Sequence, residues 1–296
     1  MIGTALTALL LREGFEVAHI SRTEDLTGAV KVYGWDSITP GSSAFAKEKA
    51  REALGDTRAV IHLAGAGIAD SRWTEARKRV IIDSRVKTAE AVRSACEATG
   101  IWPEAFISAS GINYYGSVTE EKIFEESDPP AASFIGRCCV LWEEAATGFA
   151  PHARTVMLRT GVVLSPEGGA LPKIAAPVKF GVGAPLGSGR QWMPYIHTDD
   201  LCRMYLHAVR NDDVSGPYNA VNGDHLTNKD LTRAIADVLR KPLWLPNVPG
   251  FILKAALGEL SEVLLEGSRA SAEKMRGTGF DFRFPEIQSA LKDIYG

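Results

Sequence analysis

The sequence predicts an α/β protein: a doubly wound parallel sheet whose first strand lies outside the chain, followed by a small, mostly helical C-terminal lobe. Three observations predict it. Helical and β-rich segments alternate over residues 1–164, and a parallel crossover needs a helix to carry the chain back over the sheet. The β-rich runs, such as R-A-V-I-H-L-A-G at 58–65, are apolar without polar alternation, as in strands covered on both faces. From Ser165 the texture changes. Six glycines fall between Gly168 and Gly189, in a loop-rich stretch, and mostly helical sequence follows.

Taken in order, residues 1–13 form a helix with one apolar face, stopped by Gly14, and 16–21 a buried strand ending in Ser21-Arg22. A short strand is read at 30–35 and helical character at 42–54. The strand 58–65 is followed by a long helix at 74–98, where Val80, Ile81, Val86, Ala89 and Val92 recur at helical spacing. Strand 105–110, a polar loop at 113–132, a helix at 133–147 and the strongest strand, 154–164, complete the first domain (1–164). The second (165–296) holds the glycine segment, a strand–helix pair at 192–210 and a helix at 228–239, with residues 192–222 returning to the first domain. The opening helix and strand are the second half of a βαβ unit. Its first half, a strand running into G-x-x-G-x-x-G, would precede Met1, with Gly3 as the last glycine. The sequence therefore predicts a natural chain longer than these 296 residues, through a misplaced start or a truncation.

Composition is that of an ordinary globular protein, and the net charge of −3 gives no reason to expect a nucleic-acid or membrane partner. Cys96, Cys138, Cys139 and Cys202 have no metal-like spacing, so a reduced compartment is expected, cytoplasm or organelle matrix. No apolar run is long enough to span a bilayer.

Ligands of doubly wound sheets bind beyond the carboxyl ends of the strands. Gly3, at a helix start, lets backbone approach a pyrophosphate, or is simply structural. Ser21-Arg22 ends the second strand, where an acid favours a free ribose 2′-hydroxyl and an Arg a 2′-phosphate. NADP(H) is thus preferred over NAD(H), the alternative being a solvated Arg22. Leu63, Ala64 and Gly65 end the next strand with room for a dinucleotide. Arg85 either reaches the cofactor from below or lies on its helix surface. Ser108, Ser110, Tyr114 and Tyr115 follow another strand, where nicotinamide and substrate would meet. On the glycine segment, Arg190, with Gln191 and Trp192, suits a substrate carboxylate or phosphate, or else a loop-anchoring salt bridge. Thr198 or Asp199 reads as a helix N-cap, Asp199-Asp200 as a poor metal site and His197 as structural.

With these residues the chain resembles the extended short-chain dehydrogenase/reductases, the NAD(P)-dependent epimerase/dehydratase group. The resemblance rests on L-A-G at 63–65, S-x-S-x₄-Y-G at 108–116 and L-R-T-G-V-V-L at 158–164. More narrowly it is similar to the YfcH-like "epimerase family protein" branch. That likeness rests on G-G-A-L at 168–171, G-x-G-x-P-L-G-S-G-R-Q-W-M at 181–193, I-H-T-D-D-L at 196–201, L-L-E-G at 264–267 and G-F-D-F-R-F-P-x₄-A-L at 279–291. It covers essentially the whole chain and implies a Rossmann fold binding NADP(H). It would place Ile2 and Gly3 at the pyrophosphate, Ser21 and Arg22 at the 2′-phosphate, Leu63 and Ala64 along the dinucleotide, and Arg85 and Val163 in the cofactor site.

One departure bears on activity. The wider family uses a tyrosine with a lysine four residues on, the lysine lowering the tyrosine pKa. Aligning Y-x-x-x-K-x-x-x-E on Glu143 puts Ile135 and Cys139 at those positions, and no tyrosine here has a lysine four residues later. Ser110 remains of the usual set. Tyr114 or Tyr115 would either replace the missing acid or pack over the nicotinamide. Two functions follow. One is an atypical NADP(H)-dependent oxidoreductase, or sugar-nucleotide-epimerase-like enzyme, acting on a small carbonyl or alcohol substrate. The other is a catalytically silent NADP(H)-binding sensor or regulator.

Overall fold

Leu6, Leu9 and Leu10 share one buried face, and that face makes a helix of α1 (Ile2–Arg12). Gly14, at φ 84°, supplies the left-handed turn that reverses the chain. β1 (Ala18–Ser21) follows, with β2 (Lys31–Gly34) parallel beside it. The computed structural model describes residues 1–39 and 44–296. The start of the helix read at 42–54 lies outside the described residues, and α2 runs over Ala44–Leu54.

β3 (Ala59–His62) leads to α3 (Glu75–Thr99), capped by the Thr74 hydroxyl and closed by Gly100 at φ 73°. β4 (Ala105–Gly111), the short β5 (Ile123–Phe124), α4 (Phe134–Thr147) and β6 (Arg154–Thr160) come next. The single strand expected over 154–164 is in fact two. Gly161 packs against the Pro194 carbonyl, where a Cβ would collide. There the chain leaves the main sheet, and β7 (Val162–Leu164) pairs instead with a later strand.

After α5 (Leu171–Lys179) that partner, β8 (Tyr195–His197), runs into α6 (Thr198–Arg210), and β9 (Gly216–Ala220) joins the main sheet beside β6. The expected N-caps of α6 have other roles. His197 Nδ1 accepts from the Asp199 amide, Thr198 Oγ1 donates to the Leu164 carbonyl, and Asp199 pairs with Arg283. α7 (Asn228–Val238), α8 (Gly250–Leu257), the short β10 (Arg269–Ala270) and α9 (Ile287–Tyr295) build the C-terminal lobe. No helix among the described residues is long and apolar enough to cross a membrane.

The main sheet has the order β3-β4-β6-β9, all parallel; β1 and β2 form a separate parallel pair. Both pieces lie in one layer, because the same two apolar clusters cover them. Val17, Ala59 and Ile61 pack on the cluster built from α1 and α6, while Ile20, Tyr33 and Val60 belong to that of α2, α3 and α4. Yet β1 and β3 are not hydrogen-bonded to each other. Ala59, Val60 and Ile61 are only half-buried, whereas their β4 partners Ala105, Phe106 and Ile107 are at most 1% exposed. Among the described residues the layer is broken by an unpaired edge on each side.

Candidate active site

The ends of β3 and β7 come to the start of α1. A Cβ placed on Gly3 would meet nothing nearer than Leu63 Cδ1, at 4.0 Å, and Met1 lies over Gly168 and Gly169 beside the Val163 carbonyl. Ile2, Leu63 and Val163 all pack on the cluster that α1 shares with the sheet. The first turn of α1 has neither a side-chain cap nor an acidic residue. Its free N–H groups, with open space at Gly3, fit a phosphate.

Ser21, half-buried, ends β1, and the exposed Arg22 makes no hydrogen bond or ion pair among the described residues. Nearby Glu24 is engaged: bonds from Lys49, Ser37 and the Gly34 amide hold its carboxyl down to about 2. A free arginine beside a paired acid suits an anionic ligand.

Ala64 and Gly65 form the turn after β3. Arg85 is buried beneath that turn, donating to the Ile81 and Ala66 carbonyls at 2.8 and 3.1 Å, its guanidinium 4.7 Å from the Trp142 ring centre. A Cβ on Gly65 would stand 3.0 Å from the guanidinium carbon. Arg85 thus carries the turn from below. Under it, burial and then Arg85 push His62 down to about 4, and the neutral ring accepts from the Trp142 indole and meets Thr88 Oγ1 at 2.8 Å.

At the end of β4, Ser110 donates to Glu143 Oε1 at 2.7 Å. Arg159 grips the same carboxylate with two bonds of 2.8 Å. Its third nitrogen donates to the Tyr115 hydroxyl at 2.8 Å, and Tyr115 in turn donates to Asn219 Oδ1. All five side chains are buried. Burial opposes the Arg159 charge, and Glu143 more than offsets it. Burial lifts the Tyr115 phenol to about 12, and Tyr114 lies half-buried under the Arg159 guanidinium, 3.4 Å away. Ile135 and Cys139 line α4 as buried residues, the Cys139 thiol pushed by burial to about 12. From sequence alone Arg159 and Asn219 carry no assigned role, and Glu143 serves only to align the Y-x-x-x-K-x-x-x-E pattern. The available signal was an arginine inside the apolar strand R-T-V-M-L-R-T, which needs a buried partner.

Arg190 and Trp192 belong to a second grouping. Gln191 is fully buried and donates to the Leu186 and Leu264 carbonyls, pinning the glycine segment. Trp192 donates to the Glu120 carbonyl at 2.8 Å beneath Arg269. Arg190 is exposed, with no side-chain bond or ion pair among the described residues. Residues 112–128 link the groupings, through Tyr115 to one and Glu120 to the other. Asp200 is spent on the Arg283 and Phe284 amides, and no cluster of three metal-binding side chains occurs among the described residues.

A parallel α/β layer with an uncapped helix start and small residues at its strand ends defines a nucleotide-binding protein of the doubly wound class. The chain belongs to the NAD dependent epimerase/dehydratase family, whose pattern matches residues 1–222; a domain of unknown function, DUF1731, matches residues 248–294. It is 33% identical to the epimerase family protein YfhF of Bacillus subtilis, over 99% of this chain and 94% of that one. It is 36% identical to the epimerase family protein Mb2239 of Mycobacterium bovis, over 98% and 93%. The crystal structure of human epimerase family protein SDR39U1 with NADPH superposes with a TM-score of 0.89 at 30% identity, covering 100% of this chain and 96% of that one.

Proposed function

We propose that this protein binds NADP(H) and transfers hydride between it and a carbonyl or alcohol carbon of a small substrate. The observation that carries the reading is the convergence of the free α1 N-terminus, Leu63 and Val163 at one set of strand ends, with the unpaired Arg22 after β1. Ile2 and Gly3 would hold the pyrophosphate, Ser21 and Arg22 the 2′-phosphate, and Leu63, Ala64, Gly65 and Val163 the length of the dinucleotide. Arg85 keeps the Gly65 turn in place. The NADPH-bound human relative supports the choice of cofactor. When bound, the nicotinamide supplies or accepts the hydride.

Ser110 has one hydroxyl hydrogen, and Glu143 takes it. Its oxygen is left to accept from a substrate hydroxyl. A substrate hydroxyl held there is oriented for hydride transfer and gives its proton to water, because Arg159 already occupies both oxygens of Glu143; Ser110 thus takes over the positioning part of the absent tyrosine's work. Tyr115 is less suited, because its proton is held by Asn219 and burial raises its pKa. Arg190, free and exposed, would take an anionic group of the substrate. An epimerase variant uses the same residues, the transient ketone being reduced on its other face.

A silent NADP(H) sensor is the second reading, favoured by buried Ile135 and Cys139 at the usual tyrosine and lysine positions. NADPH oxidation by the purified protein, over a panel of aldehydes and ketones, separates the two. Turnover is expected, reduced in kcat on the order of a hundredfold by Ser110→Ala with NADPH binding retained. Tight NADPH binding without oxidation of any substrate would establish the sensor.

A further inference from the structure

Residues 168–198 and 238–258 contain six Lys and Arg and not one Asp or Glu, in a chain whose net charge is −3. These two segments also hold the three most exposed large apolar side chains among the described residues: Phe180 (83%), Phe251 (72%) and Trp244 (68%). The fold lays the segments side by side. The Trp244 indole donates to the Gly181 carbonyl at 3.0 Å, the Val248 amide to the Pro185 carbonyl, and the Asn247 amide group to the Gly187 carbonyl. Phe180, Val182 and Trp244 therefore share one tip, with Lys179, Arg240 and Lys241 exposed beside them in the chain. Next to it, a groove of about 370 Å³ is lined by Lys229, Arg233 and Lys241 against the single acid Asp237. None of these three cations has an ion pair among the described residues.

We propose that this tip is a contact face for an anionic lipid bilayer. Aromatic side chains settle at the headgroup level of a membrane, and basic residues near an anionic leaflet strengthen binding about fivefold each. Phe180, Val182 and Trp244 would enter the headgroup layer while the flanking cations meet lipid phosphates and carboxylates. A second copy fits less well, since two-fold apposition would set Lys179, Arg240 and Lys241 against their own counterparts.

Co-sedimentation of the full chain with phosphatidylcholine vesicles, with and without phosphatidylserine, tests it. Binding is expected only with phosphatidylserine, and to fall as salt rises. Phe180→Ser with Trp244→Ser should abolish it, and Arg240→Glu with Lys241→Glu should weaken it at least about twentyfold. All four side chains are exposed, so circular dichroism should be unchanged. No binding to phosphatidylserine vesicles, or binding that both pairs leave intact, would overturn the proposal. So would a dimer in lipid-free gel filtration that Phe180→Ser with Trp244→Ser dissolves, which would make a second copy the occupant. Binding to a single-stranded oligonucleotide that survives loss of Phe180 and Trp244 but not of Arg240 and Lys241, with no vesicle binding, would make it a polyanion site.

Discussion

Glu143 and Arg159 set the chemistry of the site through their dependence on each other. Both are buried, and each satisfies the other with two hydrogen bonds. Removing one strands a charge away from water, which costs about 3–5 kcal/mol, whereas replacing both with apolar residues is often near neutral. Arg159→Met should therefore lower unfolding free energy by about that amount, and Glu143→Leu with Arg159→Met should recover most of it, as read by urea denaturation. His62 gives a second prediction. Its folded pKa is about 4 against 6.5 unfolded, so the unfolded state takes up a proton first as pH falls. Stability is full above about 6.5 and declines towards 4, by about 3 kcal/mol in all. The pH dependence of Tm over that window should flatten in His62→Gln. Unchanged slopes would refute the neutral buried ring. At this scale the strand-end placement of Arg22 and Ser110 was legible, because it follows from local order. The partners of Ser110 were not, since Glu143 and Arg159 lie 33 and 49 residues away and meet it only in the fold.

Among elements, the unpaired edges of β1 and β3 have a measurable consequence. Alternate amides of β3 point away from β4 and find no ladder partner among the described residues. Hydrogen exchange should find those amides opening at least on the order of a hundredfold faster than the amides of β4, which pairs on both edges. Uniform protection across the two strands would contradict the broken layer. Gly267 makes a second test. A Cβ there would overlap the Trp192 carbonyl oxygen, so Gly267→Ala should cost on the order of 2 kcal/mol and loosen the Arg190 segment. Most elements were legible from apolar spacing. The Thr74–Gly100 helix is an example, with a cap and a stop both written locally. The break at Gly161 was not, because R-T-V-M-L-R-T-G-V-V-L is apolar throughout and only contact with Pro194 divides it.

For the whole molecule, a net charge of −3 does not describe how the charges are placed, because the acids are missing altogether from two segments that the fold brings together. Their adjacency depends on the paths after α5 and α7, which periodicity does not specify. The family-level architecture, by contrast, was legible throughout, since each strand-end motif carries its own spacing. The central claim is that the strand ends and Arg22 together hold NADP(H). It is tested most directly by calorimetric titration of the full chain with NADPH and with NADH, repeated on Arg22→Ala. Tighter NADPH binding, by about tenfold or more, with the difference lost in Arg22→Ala, is the predicted result. Equal affinity for the two dinucleotides, or an NADPH preference that Arg22→Ala leaves untouched, would contradict it.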